Sequence, residues 1–227
     1  MSAHDLFRRS PLHDQLASER GDWEAVAGMQ TAVRLPGDDV PAPIMLADAS
    51  CLRRLGLKGP QAEAWLRSRG VSAPDANRWT LTPDGAIVAR LARSEFFLED
   101  RPGGTAVAGW RDVLEAAPGI YPPGICPVAR QDAAIALAGE RAGQLLAQTC
   151  GLNFRAVEDG RRDVVMTSMA GVSVLMLWHE QGGEPLYRIW CDGTFGPYLW
   201  ETLLGIAREA GGRAVGFARL FPHSVGN

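Results

Sequence analysis

Two stretches of this chain, eighty residues apart, share one skeleton: Leu57-Lys58-Gly59-Pro60-Gln61-Ala62-Glu63-Ala64-Trp65-Leu66 and Leu137-Ala138-Gly139-Glu140-Arg141-Ala142-Gly143-Gln144-Leu145-Leu146 both read L-x-G-x-x-A-x-x-x-L. In each copy a stretch that reads as a strand (Cys51 to Leu57; Ala133 to Leu137) leads into the glycine, and a helical pattern comes next. The order predicts a strand, a glycine that caps the next helix, and Pro60 at a first-turn position, where a missing N–H costs nothing. Ala62 and Leu66, like Ala142 and Leu146, are four apart and share one helix face. The small residue lets the helix approach the sheet, and the leucine fills the core behind it.

Downstream of the motif the two copies also agree. The clearest stretch is Asp163 to Gly212. Val172 to Trp178 is an apolar, β-branched strand pattern, and Gln181-Gly182-Gly183-Glu184 is turn chemistry. Leu186 to Cys191 then alternates, with Tyr187, Ile189 and Cys191 on one face and Arg188 and Trp190 on the other. Leu199, Leu203, Ile206 and Ala210 mark a helix that Gly211-Gly212 ends, and Ala214 to Ala218 reads as a last strand. In the first copy the hairpin is Ala86 to Ala92 with Glu95 to Leu98. Thr105 to Ala117, carrying Val107, Trp110, Val113 and Leu114, is the helix, and no closing strand is evident. The predicted class is α+β, two related ferredoxin-like (βαββαβ) units at residues 44–120 and 125–227. The Pro-Gly clusters of Pro118 to Gly124 join them, and residues 1–43 are an N-terminal arm. In that arm Arg8-Arg9 is exposed, Ser10-Pro11 enters a short helix and Leu35 to Pro43 is a loop.

Several functions are disfavoured by what the chain lacks. Its 227 residues carry 23 basic and 26 acidic side chains, a net −3 that offers nothing to nucleic acid or to an anionic membrane. Lys58 is the single lysine. No apolar run is long enough for a signal peptide or a membrane span, so a cytoplasmic location is expected. There is no G-x-G-x-x-G after a strand and no phosphate-binding G-x-x-x-x-G-K-[ST], so neither flavin nor nicotinamide cofactor is expected in this chain. Gly171-Val172-Ser173 lacks the closing glycine of a nucleophile elbow, and Ser173 is expected in the core. His4, His13, His179 and His223 show no ligand spacing, and no metal site is expected. Cys51, Cys126, Cys150 and Cys191 are expected as four reduced, mostly buried thiols. Asp38-Asp39, Glu99-Asp100 and Glu158-Asp159 read as solvated turn residues. No catalytic, cofactor-binding or metal-binding residue is assigned.

Aromatic enrichment carries the remaining signal. Trp178, Trp190 and Trp200 crowd the organising stretch, with Tyr187 and Tyr198 beside them. A large aromatic core explains this. An alternative puts Arg188 and Trp190 on an uncovered sheet face and, with Tyr198 and Trp200, makes them a candidate protein interface.

The repeated motif also resembles a known family. Asp48-Ala49-Ser50-Cys51-Leu52-Arg53-Arg54-Leu55-Gly56-Leu57-Lys58-Gly59-Pro60-Gln61-Ala62 is similar to the opening of the folate-binding domain of aminomethyltransferases, the glycine-cleavage T-protein family. Arg8-Arg9-Ser10-Pro11-Leu12, Arg130 to Leu137, and Tyr187-Arg188-Ile189-Trp190-Cys191-Asp192 leading to Tyr198-Leu199-Trp200 resemble a narrower branch. That branch is the gamma subunit of heterotetrameric sarcosine oxidase and its N-methylglutamate dehydrogenase relatives. The resemblance implies a non-catalytic subunit that packs on a large alpha subunit of an enzyme oxidatively demethylating an N-methyl amino acid. Flavin, nicotinamide cofactor, folate and zinc are then expected on the alpha, beta and delta partners. Where full transferases carry acids in a Gly-Gly-Ile-Ile-Asp-Asp-like segment, this chain has Asp84-Gly85-Ala86-Ile87-Val88-Ala89-Arg90, and alanine cannot accept a proton. The chain is also expected to be too short for the transferase's third domain. A free-standing folate-binding or aminomethyltransferase-like protein, with Glu99 or Asp100 as the polar contact, is the alternative.

Overall fold

A computed structural model describes residues 8–115, 121–153, 162–181 and 184–222. Part of the Pro-Gly linker (118–120), the end of the predicted helix (116–117), Gly182-Gly183 of the hairpin turn, Glu158-Asp159, His4 and His223 lie outside them. The N-terminal segment holds β1 (Arg8–Arg9), α1 (His13–Ala17), β2 (Asp22–Val26) and β3 (Met29–Arg34). Next come β4 (Met45–Asp48), β5 (Arg54–Lys58), α2 (Ala62–Ser68), β6 (Arg78–Leu81), β7 (Ile87–Ala92), β8 (Glu95–Glu99), α3 (Ala106–Glu115) and β9 (Cys126–Val128). The second half contains β10 (Ala133–Ala138), α4 (Ala142–Thr149), β11 (Val165–Met169), β12 (Val172–Gln181), β13 (Glu184–Cys191), α5 (Gly196–Glu209), β14 (Arg213–Ala214) and α6 (Phe217–Leu220).

The strands form three sheets, ordered β1-β3-β2, β6-β7-β8-β5-β9 and β11-β12-β13-β10-β4-β14. The two large sheets repeat one plan. β5 and β10 open the units, β8 and β13 lie antiparallel beside them, and β7 and β12 come next. The duplication reaches atomic detail at the helix starts. Gly59 and Gly139 both take positive φ, +120° and +111°. In each, a Cβ would strike a carbonyl oxygen, that of Gly124 at 2.2 Å or that of Pro43 at 2.4 Å. Those carbonyls accept equivalent bonds, from Gln61 N–H at 3.1 Å and Arg141 N–H at 2.9 Å. The glycines expected as caps therefore turn the chain two residues ahead of each helix cap, and Pro60 stands in that turn. As predicted, Ala62 and Leu66 point inward with Trp65, and Ala142 and Leu146 point inward with Leu145.

One feature of the topology is invisible in the motif. The fifth strand of each sheet comes from just before the other unit's first strand. β4 precedes β5 yet pairs with β10, and β9 precedes β10 yet pairs with β5. The halves exchange equivalent strands. In the second unit β4 is thereby inserted between β10 and β14, where a plain βαββαβ unit would place its last strand next to its first. The expected strand from Ala214 to Ala218 is only β14, because Gly216 and Phe217 turn the chain into α6.

Alternation along the strands distributes the apolar side chains to three cores. Ile135, Leu137, Tyr187, Ile189, Leu145, Leu199 and Trp200 fill the space between the six-stranded sheet and its helices. Leu55, Leu57, Phe96, Leu98, Trp65 and Val107 do the same for the other sheet. The remaining faces, with Ala89, Phe97, Ala134, Leu177 and Trp190, pack on each other, and Phe217 and Phe221 close the gap. The arm is more ordered than expected. Ser10 Oγ accepts from Leu12 N–H at 2.9 Å ahead of α1, and Leu12 and Leu16 are buried in the first core. No helix among the described residues is long and apolar enough to cross a membrane.

Candidate functional site

The chemistry-bearing residues converge where the two sheets face each other. Glu99 lies opposite Arg54 in the β8–β5 ladder, and Trp190 lies opposite Ala134 in the β13–β10 ladder. Arg54 and Ala134 are equivalent positions of the repeat, so Glu99 and Trp190 are equivalent too. By the same register Phe97, opposite Gly56, corresponds to Arg188, opposite Ala136. The contacts across the junction obey this symmetry. Phe97 meets Trp190 with ring centroids 4.8 Å apart, and Arg188 Nη2 donates to Glu99 Oε1 at 2.6 Å. One pair of positions is filled once by an aromatic contact and once by an ion pair. At the centre Trp190 Nε1 donates to Glu99 Oε2 at 2.6 Å.

Arg54 completes the cluster, donating from Nη1 to Glu99 Oε2 at 3.3 Å and from Nη2 to the Ser50 carbonyl at 2.7 Å. The Arg188 guanidinium lies 5.1 Å from the Phe221 ring and 5.5 Å from that of Trp190. Glu99 has 0% exposure, Trp190 1%, Arg188 2% and Arg54 6%. Two cations and one anion thus share a buried interior. Burial pushes the Glu99 carboxyl upward, opposed by Arg188, Arg54 and the Trp190 indole. Burial pushes the Arg188 guanidinium downward, opposed by Glu99. Asp48, also buried, accepts from Ser50 N–H at 2.8 Å, and Ser50 Oγ accepts from Ala134 N–H at 3.0 Å, binding the first unit's loop to the second unit's strand. Asp100 has another task. Its carboxylate accepts from Val107 N–H at 2.8 Å and Ala108 N–H at 3.4 Å and so satisfies the first turn of α3.

These positions correct several expectations. Glu99 and Asp100 are interior, not solvated, because each meets its partners from distant strands or a later helix. The interface expected at Arg188, Trp190 and Trp200 is not a surface of this chain. The face opposite Tyr187 is covered by the other sheet, and Trp200, at 0% exposure, packs under α5. Tyr198 alone of the four is exposed, at 55%, and its hydroxyl donates to the Ala170 carbonyl at 3.2 Å. Ser173 is exposed on β12 opposite Ser168, not in the core. Asp38 is engaged as well, accepting from Leu35 N–H at 2.8 Å. Cys51, Cys150 and Cys191 are buried and Cys126 is exposed, all as free thiols. No three His, Cys, Asp or Glu side chains among the described residues are placed to hold a metal ion. The sequence did hold one signal of the cluster: Arg188 is a charge inside the otherwise apolar run from Leu186 to Cys191.

Where the resemblance would put transferase acids, Ala89 sits at 0% exposure in the inter-sheet core. Arg90 points the other way and pairs with Glu63 at 3.0 Å.

His179 borders the same region, 6.0 Å from the Trp79 ring, with Nδ1 3.2 Å from the Glu180 carbonyl. Burial, then repulsion from Arg188, lowers it from 6.5 to about 4. Between those values the unfolded chain binds the proton and the native chain does not. Stability contributed by the neutral ring is complete above pH 6.5 and is lost as pH falls toward 4, by at most on the order of 3 kcal/mol. Denaturant midpoints of the wild type and His179→Gln, compared across this window, should converge as pH drops. A pH-independent difference would show that the ring is protonated equally in both states.

Protein-family models give no match to this chain, and curated proteins give none. Solved structures do. The glycine cleavage system aminomethyltransferase T from Bartonella henselae superimposes with a TM-score of 0.70 at 22% identity, over 94% of this chain and 60% of that one. This chain therefore spans about 60% of the transferase's length. A chain of the heterotetrameric sarcosine oxidase from Corynebacterium sp. U-96, solved with pyrrole 2-carboxylate, superimposes with a TM-score of 0.64 at 22% identity, over 90% of this chain and 96% of that one. The fold is of the aminomethyltransferase type.

Proposed function

We propose that this chain is a non-catalytic, gamma-type subunit of a sarcosine-oxidase-like heterotetramer that oxidatively demethylates an N-methyl amino acid, sarcosine or N-methylglutamate. Its task is to stabilise the assembly by packing on the large alpha subunit. The observation that carries this reading is the closed junction. Every donor-bearing residue there is buried, and both Glu99 oxygens are engaged by this chain's own side chains. The residues do not fit a pterin. A ligand would have to displace Trp190 from Glu99 and part the two sheets, and Ala89 supplies no acid beside them. Near-complete coverage of the sarcosine oxidase chain, against partial coverage of the transferase, supports the same reading. Flavin, nicotinamide cofactor, folate and zinc then belong to the alpha, beta and delta partners.

Calorimetric titration of the isolated chain with tetrahydrofolate should give no binding heat, and the chain should co-purify with the alpha subunit when the two are co-expressed. Saturable tetrahydrofolate binding, or demethylation by the lone chain, would overturn the reading and favour a free-standing folate protein.

A further inference from the structure

A cleft of ≈ 650 Å³, sharing no residue with the Glu99 cluster, opens between the β2–β3 hairpin, the loop at residues 35–39 and α6. Arg20, Arg34 and Arg219 line it, together with Asp22, Asp38 and Asp39. Many arginines elsewhere in this chain are tied down, although Arg9 and Arg93 also show no side-chain partner among the described residues. Arg54, Arg67, Arg90, Arg130, Arg188 and Arg208 pair with carboxylates, and Arg101 and Arg141 donate to carbonyls. The side chains of Arg20, Arg34 and Arg219 make no ion pair, hydrogen bond or ring contact among the described residues, although Asp22 and Asp39 line the same cleft.

The wall that carries these charges is built to hold its shape. The Asp38 carboxylate accepts from Leu35 N–H at 2.8 Å and from Gly216 N–H at 3.2 Å, joining the loop to the start of α6. Arg213 reaches the loop from behind, donating to the carbonyls of Gly37 at 3.1 Å and Pro41 at 3.4 Å. Gly37 has φ +87°, and its missing Cβ would lie 2.7 Å from Arg213 Nη1. Three exposed guanidiniums without a partner among the described residues, carried on a braced wall, are available to carboxylates. The interleaved acids argue against a compact polyanion, half of whose contacts would be repulsive. An extended peptide can place each charge opposite its complement.

We infer that this cleft docks a carboxylate-bearing segment of the alpha subunit, with Arg20, Arg34 and Arg219 reading the acids. The inference rests on the subunit role proposed above. Its test is the double reversal Arg34→Glu with Arg219→Glu in the full chain, whose folding is checked by thermal melting because neither side chain holds another element. Binding to the alpha subunit is measured across a salt series. Wild-type association should slow with salt, and the variant should bind about tenfold or more weakly with a flattened salt dependence. Unchanged affinity and salt slope in a variant that still assembles would remove this surface and leave the subunit role standing. Failure of the wild type to bind removes both. Salt-sensitive self-association of the isolated chain, abolished in the variant, would assign the cleft to a second copy and overturn the inference.

Discussion

Glu99→Ala is expected to destabilise the isolated chain by about 3–5 kcal/mol, enough to unfold a marginal domain at room temperature. Among the described residues the carboxylate is the one ion-pair partner of the Arg188 guanidinium, and it also accepts from Arg54 and Trp190. Removing it strands two cations and an indole N–H in a buried interior. Glu99→Gln keeps the volume and one acceptor but not the charge, so most of the loss should remain. Glu99→Leu combined with Arg188→Met should recover part of it, since an apolar pair of similar size removes one of the two uncompensated charges and leaves only Arg54. Urea denaturation of the four proteins checks this. A loss below about 1 kcal/mol for Glu99→Ala would mean that water, not Glu99, satisfies the arginines.

The second large effect tests the duplication itself. Gly59→Ala and Gly139→Ala should each cost about 3 kcal/mol or more, and by similar amounts. Both combine a glycine-only φ with a Cβ driven to within 2.2 Å or 2.4 Å of a carbonyl oxygen. Gly143→Ala, only four residues on and inside α4, should have the opposite sign. Its Cβ would meet nothing within 4 Å, and alanine favours the helix by roughly 0.5–1 kcal/mol. If Gly59→Ala proved harmless while Gly139→Ala did not, the two turns would not be physically equivalent. Thermal or urea unfolding of the three variants decides it.

Much of this architecture was legible in the sequence, because repeat and alternation are local properties. The L-x-G-x-x-A-x-x-x-L skeleton located both strand-to-helix turns, and the period of two placed Tyr187 and Ile189 on the face opposite Trp190. Alternation says which side chains share a face. It does not say what covers that face. Trp190 and Arg188 therefore read as well as an interface as they do as an interior, and the answer came from Glu99, 91 and 89 positions away. Glu99-Asp100 misled for the same reason, since an acid pair at a strand end looks like a turn until its distant partners are known. The exchange of β4 and β9 left no mark because neither strand's pattern names its neighbour. The arm, weakly patterned by itself, gains its order from packing against the second unit.

The swapped strands also dictate when the molecule can become whole during synthesis. β4 emerges early and must wait for both of its neighbours, β10 and β14, the second of which ends at Ala214. Until then its main-chain donors and acceptors stay hydrated. A nascent chain stalled in its first half would expose an adhesive flank. Folding of the first half is thus bound to the emergence of the second, as far as β14, and cutting the chain at the central prolines would yield two fragments, each missing a rib that the other carries.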